Sequence, residues 1–319
     1  MGVFCTIRTA VLVAGLVIST VAQAQEYPTR AITVIVPFAA GGIADVIGRL
    51  VGQKLNENLG QPVIIENRVG GAGFIGTRAV ASAPPEGYTL LSTTTAIAIA
   101  ETASHNRGYN TSDLRAIAIV AISPDLLTVH PSNPAKTLKE FVANGRKASF
   151  TYASAGVGTA PHIGAEYFFK EVAKVQSVHV PFNGGAPATT AALGNHVDAL
   201  VLTAPTPTPH VLAGRLRGLG IAGERRLEAL KDVPTYREMG FDVLSGSWVG
   251  FFAPAKTPDS VALKLNAEIN RLMKTPDVLQ KLAQIGFDPL IRNLPDTEAY
   301  FKTEIANWGK MVRAAGVSN

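Results

Sequence analysis

The sequence predicts an α/β protein made of two similar units, and three observations support this. Short runs of β-branched residues alternate with longer segments of helical period, as in a sheet covered by helices. The alternation stops and then restarts at residue 149. The chain has 319 residues, of which 47% are hydrophobic and 17% charged. It can therefore bury cores for about two domains of roughly 150 residues each.

The first unit begins with the apolar run ITVIV at 32–36, which is typical of a strand buried on both faces. A helix over 43–59 is predicted next, followed by strands over 63–66, 88–92 and 117–122 and a short helix over 76–83. Strands that alternate with helices in this way are expected to run parallel to one another.

The second unit has predicted strands over 149–154, 178–181 and 197–203, and helices over 166–174 and 189–194. A helical tail follows over 259–273, 276–286 and 297–315. If the tail packs on the first unit, the chain crosses between units twice, near 120–129 and 245–254. We therefore expect one domain from 25–125 plus 248–319, a second from 126–247, and a hinge between them.

The N-terminus has the pattern of a cleavable signal peptide over residues 1–24. Arg8 precedes an apolar run of about 12 residues, which ends at the A-x-A site formed by Ala22, Gln23 and Ala24. A retained anchor is the alternative, but the run is shorter than the ~20 residues of a membrane span. Cys5, the single cysteine, lies in this segment, so a disulfide framework or a cysteine-type zinc site is excluded.

Two glycine-rich segments each stand between a predicted strand and a predicted helix. In PFAAGGIAD (37–45), Gly42 can cap the helix, so that unpaired amides and the positive helix end form a site for an anion. In SAGVGTAPH (154–162), Thr159 and Pro161 suit the start of a second such helix. Because open α/β sheets bind ligands at the carboxyl ends of their strands, we expect the two loops to face each other across a cleft.

Three further features have more than one interpretation. Asp45 is either an acid that caps its helix or a contact for a ligand amine or hydroxyl. His162 is either a structural histidine or a donor to a carboxylate. A third segment, PFNGGAP (181–187), could line the same cleft, although any one of these glycine loops alone could be an ordinary tight turn.

Several other functions lack their signature. The run Gly71–Gly76 matches G-x-G-x-x-G, but it does not directly follow its strand, and no acid lies about 20 residues further on. There is no G-x-S-x-G elbow, and the six histidines show no metal-ligand spacing. The net charge of +5 is modest, and the basic residues are not interleaved with aromatics as in nucleic-acid sites. We therefore predict no catalytic residues, no metal, no cofactor and no nucleic-acid partner.

Segments 27–45 and 60–91, together with VPTYREMGFD at 233–242, resemble the Bug family. Its members are TctC-like periplasmic solute-binding receptors of tripartite tricarboxylate transporters. The resemblance extends over essentially all of the chain after the leader. Glu86 departs from the usual aspartate, and the stretch 203–210 is unusually rich in threonine and proline, which affects the expected ligand more than the fold.

The resemblance implies a two-lobed Venus flytrap of the type II periplasmic-binding-protein fold, each lobe a mostly parallel sheet flanked by helices. It implies a monomer in the periplasm, not an enzyme, that captures a small organic carboxylate (a di- or tricarboxylate, an amino acid or an aromatic acid) and delivers it to permease subunits. The alternatives are a ligand receptor for a sensor kinase and a periplasmic enzyme acting on carboxylates. Together with the glycine loops, it gives these expected ligand-binding residues: Phe38, Ala39, Ala40, Gly41, Gly42, Asp45, Thr93, Thr94, Thr95, Ser154, Ala155, Gly156, Gly158, Thr159, His162, Phe182, Asn183, Gly184, Gly185, Thr203 and Ala204.

Overall fold

The computed structural model describes residues 27–317, so the predicted signal peptide over 1–24 lies outside the described residues. The strands within this range are β1 (Ile32–Val36), β2 (Val63–Asn67), β3 (Thr89–Thr94), β4 (Leu114–Val129), β5 (Phe150–Ser154), β6 (Ser177–Pro181), β7 (Ala199–Thr203), β8 (Arg217–Ile221), β9 (Gly246–Pro254) and β10 (Asp288–Pro289).

The helices are α1 (Ile43–Leu59), α2 (Phe74–Ala81), α3 (Ala96–Ala103), α4 (Leu138–Gly145), α5 (Ala160–Glu166), α6 (Gly185–Leu193), α7 (Thr208–Leu212), α8 (Asp259–Leu272), α9 (Pro276–Gln284) and α10 (Leu294–Ala315). A π-helical stretch, Tyr167–Val172, continues α5. Between residues 27 and 317, no helix combines the length and the hydropathy that crossing a membrane requires.

The strands pair in the order β2-β1-β3-β9-β4-β7-β5-β6, and β8 and β10 also pair with β4. Strand β4 is shared. Its residues 114–124 pair with β9, and its residues 125–129 pair with β7 and β8. We call β1, β2, β3, β9, β10 and residues 114–124 the strands of the first lobe, and β5 to β8 with residues 125–129 those of the second. The two-lobed α/β fold is confirmed, whereas the exact domain limits stay a prediction.

The parallel pattern holds at the outer part of each lobe. Strands β2, β1 and β3 are parallel, and so are β6, β5 and β7. The centre differs, because β9 lies between β3 and β4 and runs antiparallel to both. The sequence indicated residues 245–254 only as a crossing between the units. Residues 246–254 form a strand because their backbone pairs with β3 on one side and β4 on the other.

Local patterns located many elements correctly. The predicted strand over 32–36 and helix over 43–59 have the observed limits of β1 and α1. The sequence interpretation missed α3, α4, α7, β8 and β10. Helix α3 is rich in alanine, and β8 has two glycines in five residues, so neither shows a clear hydrophobic period.

Helices cover both faces of each lobe. In the first lobe, Ile47 and Val51 of α1 share a buried cluster with Leu265 and Ile269 of α8, so the tail does pack on the first unit. Helix α10 reaches further. Its Phe301 and Trp308 belong to a cluster that also contains Ala160 and Ile163 from α5 of the second lobe. The last helix therefore bridges the lobes.

The two lobe-to-lobe connections meet at a buried aspartate. The Asp125 carboxylate accepts hydrogen bonds from the Ser245 hydroxyl at 2.5 Å and the Thr203 hydroxyl at 3.1 Å, and the Asp125 amide donates to the Ser245 carbonyl at 2.8 Å. Helix α5 packs directly on this place, since a Cβ on Gly164 would overlap the Ser245 side chain. Burial raises the pKa of Asp125 to about 6, although the two hydroxyl donors act in the opposite direction.

Asp125 should make stability depend on pH. Its pKa of about 6 in the folded protein lies above the value of about 3.9 in the unfolded chain. The stabilisation of the folded state by protonated Asp125 is therefore complete below about pH 4 and is lost as the pH rises through about 6. Two pKa units correspond to roughly 3 kcal/mol in the free energy of unfolding. We expect Asp125→Asn to remove this loss, as measured by denaturant unfolding at pH 4, 5, 6 and 7.

The matched control is Asp232→Asn, at an exposed position, which should keep the wild-type pH dependence. Equal pH profiles for the wild type and Asp125→Asn would contradict the assignment.

Candidate functional site

Three glycine loops stand at carboxyl ends of strands. The first glycine loop, Phe38–Gly42, follows β1; the second, Ser154–Thr159, follows β5; the third, Phe182–Gly185, follows β6. The ends of β3 and β7 meet the lobe crossing, since Thr94 pairs with Val249 of β9 and Thr203 pairs with Asp125. Both sets of parallel strands therefore direct their carboxyl ends toward the crossing.

The first glycine loop is fixed by one carboxylate. Gly42 caps α1, and Asp45 is the third residue of that helix. The Asp45 carboxylate accepts the Gly41 amide at 2.9 Å, the Arg49 Nε at 3.0 Å and the Asn67 Nδ2 at 2.9 Å. Asn67, from the end of β2, also donates to the Phe38 carbonyl at 3.0 Å.

These contacts favour the capping interpretation of Asp45 over ligand contact. The residue is 3% exposed, and both of its carboxylate oxygens already have donors in the protein. Burial alone would raise the pKa of this carboxyl, but the hydrogen bonds from Arg49, Gly41 and Asn67 outweigh it and lower the pKa to about 2. Asp45 is thus an ionised residue whose hydrogen bond from the Gly41 amide holds the first glycine loop in place, and we call such a residue a brace.

The second glycine loop has an equivalent brace from a histidine. Thr159 caps α5, and His162 is the third residue of that helix. His162 Nδ1 accepts the Gly158 amide at 3.1 Å, as Asp45 accepts the amide four residues before it in the first lobe. The Ser154 hydroxyl accepts the Gly156 amide at 3.2 Å and lies 2.7 Å from His179 Nε2.

Packing around His162 keeps its ring neutral. The ring stacks on His179 with 4.0 Å between centroids, and His179 stacks in turn on Tyr152. Burial, together with the neighbouring His179, lowers the pKa of His162 to about 4, and burial also lowers the pKa of His179. Because an imidazole accepts a hydrogen bond only at an unprotonated nitrogen, the brace on Gly158 is complete at neutral pH.

Amides remain available in both loops. Residues 39–42 and Val157 are exposed. Within the described range, the amides of Ala39, Ala40 and Val157 form no hydrogen bond with the protein. Each loop therefore combines amides that are hydrogen-bonded within the protein with at least one amide open to solvent beside the start of a helix, an arrangement suited to an anion.

The third glycine loop packs against the second. The Gly184 amide donates to the Ala155 carbonyl at 3.0 Å, and the Phe182 amide donates to the Ser154 carbonyl at 3.2 Å. Asn183 is exposed. The expected grouping of these two loops is therefore seen in the structure.

Several other residues that were predicted to contact the ligand form hydrogen bonds where the chain crosses between the lobes. The Thr95 hydroxyl accepts the Trp248 amide at 2.8 Å, the Thr203 hydroxyl bonds Asp125, and the Ala204 amide donates to the Pro124 carbonyl at 2.9 Å. Thr93 is 2% exposed and lies beside Phe38 in a small depression. The structure thus places Thr95, Thr203 and Ala204 in the joint between the lobes, and their contact with a ligand stays a prediction.

Sequence reasoning missed the supporting residues Asn67 and His179. Asn67 is a polar residue at the carboxyl end of a strand, a position that could have suggested a role at the site. The partners of His179 become visible only when β5 and β6 pair. Among residues 27–317, no group of three or more His, Cys, Asp or Glu side chains could hold a metal ion.

The hydrogen bond from the Gly158 amide to His162 should persist between pH 7 and 5. A histidine with a pKa near 6.5 would change the Gly158 amide signal between pH 7 and 5, whereas His162, with its pKa of about 4, should leave it unchanged. Amide NMR spectra across this range test the prediction. His162→Asn supplies an acceptor oxygen and should retain protection of the Gly158 amide from hydrogen exchange, and His162→Leu should lose it. A Gly158 titration centred near pH 6.5 would show that the ring is not held neutral.

Comparisons with known proteins agree with this architecture. Residues 47–317 match the family model described as tripartite tricarboxylate transporter family receptor, TctC. BugT of Bordetella pertussis is 31% identical over 300 residues, covering 92% of this chain and 92% of BugT.

Two solved structures are similar over nearly their whole length. Rpa4515 of R. palustris, with adipate, has 29% identity and a TM-score of 0.79, covering 92% of this chain and 99% of that one. MatC of Rhodopseudomonas palustris, with bound malate, has 30% identity and a TM-score of 0.73, covering 90% and 100%. The family match, the BugT relationship and the shared two-lobed fold establish that this chain belongs to the TctC family of tripartite tricarboxylate transporter receptors, the periplasmic solute-binding proteins that include the Bug proteins.

Proposed function

We propose that this protein captures a small organic carboxylate between its lobes and delivers it to the membrane subunits of a tripartite tricarboxylate transporter. The observation that carries the proposal is the pair of braced glycine loops, one in each lobe, each with open amides beside a helix start. One site for an anion on each lobe suits a ligand that contacts both lobes.

The solved relatives support a dicarboxylate as the first ligand class to test, since one is described with adipate and another with malate. Hydrogen bonds to a charged group contribute about 1.5–3 kcal/mol each. Four or five of them, less the several kcal/mol lost on association, fit a Kd of about micromolar.

The remaining parts of the proposal concern location and partners. Residues 1–24 have the pattern of a cleavable signal peptide, and family members are periplasmic, so we propose export to the periplasm. The receptor acts as a monomer and binds the permease subunits through surfaces of the closed form. Backbone amides, more than Lys or Arg, hold the ligand, because no cationic side chain belongs to the three glycine loops.

Isothermal titration with adipate, malate and a tricarboxylate such as citrate tests the proposal. We expect at least one of them to bind with a Kd of about micromolar and to raise the unfolding temperature. If none binds while an uncharged sugar does, the proposed ligand class is wrong.

Gly156→Ala should weaken carboxylate binding about tenfold or more by displacing the second glycine loop. Gly156 has φ +131°, and an added Cβ would lie 3.0 Å from the Phe182 carbonyl oxygen of the third loop. The matched control is Gly240→Ala, where φ is +89° but an added Cβ meets open space away from the loops. Circular dichroism confirms folding of both variants, and equal affinities in the titration would contradict the role of the loop.

A further inference from the structure

A cavity of about 630 Å³ lies between the lobes, apart from the glycine loops. Its walls come from the segment 222–246 of the second lobe, from β4 and β9 at the crossing, and from residues 288–311 of the first lobe. No residue of the three glycine loops lines it. This volume is within the usual range for small-molecule sites of about 300–1,000 Å³.

Four aromatic side chains line this interlobe cavity. Trp248 and Trp308, the two tryptophans of the chain, both line it, as do Tyr167 and Tyr300. Both indole N–H groups donate to the same oxygen of Glu304, at 2.7 Å from Trp248 and 3.0 Å from Trp308. One half-buried carboxylate therefore fixes two aromatic residues from different elements, and the indole N–H groups are already hydrogen-bonded.

Half of the charged side chains around the cavity form ion pairs with each other. Arg225 of the second lobe contacts Asp288 of the first at 2.9 Å, and Arg237 contacts Asp242 at 2.8 Å. Two wall acids, Glu224 and Glu304, lie outside these pairs. Glu304 accepts the two indole N–H groups, and burial raises its pKa despite these donors.

Two wall cations remain outside this pairing. The Arg292 guanidinium lies 4.7 Å from the centroid of the Tyr300 ring, and the Lys310 ammonium lies 5.4 Å from that of Tyr167. In the described part of the chain, neither is within ion-pair distance of a carboxylate. Each therefore places a positive charge beside an aromatic ring, a combination that suits a flat molecule with a negative group.

We propose that this interlobe cavity is a second binding site, separate in space from the glycine loops, for a small aromatic anion. The ring lies among the four aromatic side chains, and Arg292 and Lys310 meet the negative group. Because the walls belong to both lobes, the affinity of such a ligand depends on the lobe arrangement. Occupation of the cavity and capture at the glycine loops are therefore coupled, each changing the affinity of the other by the same factor.

Anilinonaphthalene sulfonate is a suitable probe, because it is a flat aromatic anion whose absorption overlaps tryptophan emission. We expect saturable quenching of the emission from Trp248 and Trp308 as the full-length receptor is titrated with the probe. Asn307→Phe places a ring in the cavity from an exposed wall position of α10 and should abolish the saturable phase. The control is Ala306→Phe, exposed on the same helix but not part of the wall, which should bind as the wild type does.

A second pair of measurements tests the requirement for negative charge. Lys310→Gln should weaken binding of the sulfonate about tenfold, and the uncharged analogue phenylnaphthylamine should bind wild type and Lys310→Gln equally. Wild-type binding in Asn307→Phe would place the probe elsewhere and overturn the proposal. Equal affinity of the wild type for the charged and uncharged probes would overturn the assignment of the ligand as an anion.

Discussion

The antiparallel pairing of β4 with β9 is the constraint on which the rest of the molecule depends. It brings the two connections between the lobes side by side, so two adjacent strands, together with the bridging helix α10, join the lobes. The joint is polar where the chain crosses, and the Asp125 carboxylate accepts hydrogen bonds there from the hydroxyl groups of Ser245 and Thr203. Without these donors, burial of the Asp125 carboxylate would lower the stability of the folded protein. The hydroxyl groups of Ser245 and Thr203 are therefore needed at the joint.

The joint explains why some polar residues at strand ends stabilise the crossing between the lobes whereas others stay open to solvent. Thr95 and Thr203 stand at the carboxyl ends of β3 and β7, where ligands usually bind, yet their side chains stabilise the crossing. The glycine loops lie at the ends of β1, β5 and β6, where no second connection competes for their amides. In the proposed function, backbone groups recognise the anion, and they lose no side-chain entropy when they bind it.

The two braces reach the same geometry with different chemistry. Asp45 is ionised and holds Gly41 through a carboxylate supported by Arg49, whereas His162 is neutral and holds Gly158 through a ring nitrogen. A negative charge behind the first glycine loop would repel an anionic ligand if it were unscreened. Arg49 and Asn67 donate hydrogen bonds to the Asp45 carboxylate oxygens and reduce this repulsion.

The sequence by itself determined the elements whose signals are local. Hydrophobic period placed β1 and α1, and glycine followed by a helix start placed the first and second glycine loops. Tertiary structure decided the antiparallel position of β9, the stacking of His162 on His179 and the aromatic cavity between the lobes. Hydrophobic period and turn preference act within a few residues. The partners of β9, His162 and Glu304 come from distant segments, and only packing of the whole chain brings them together.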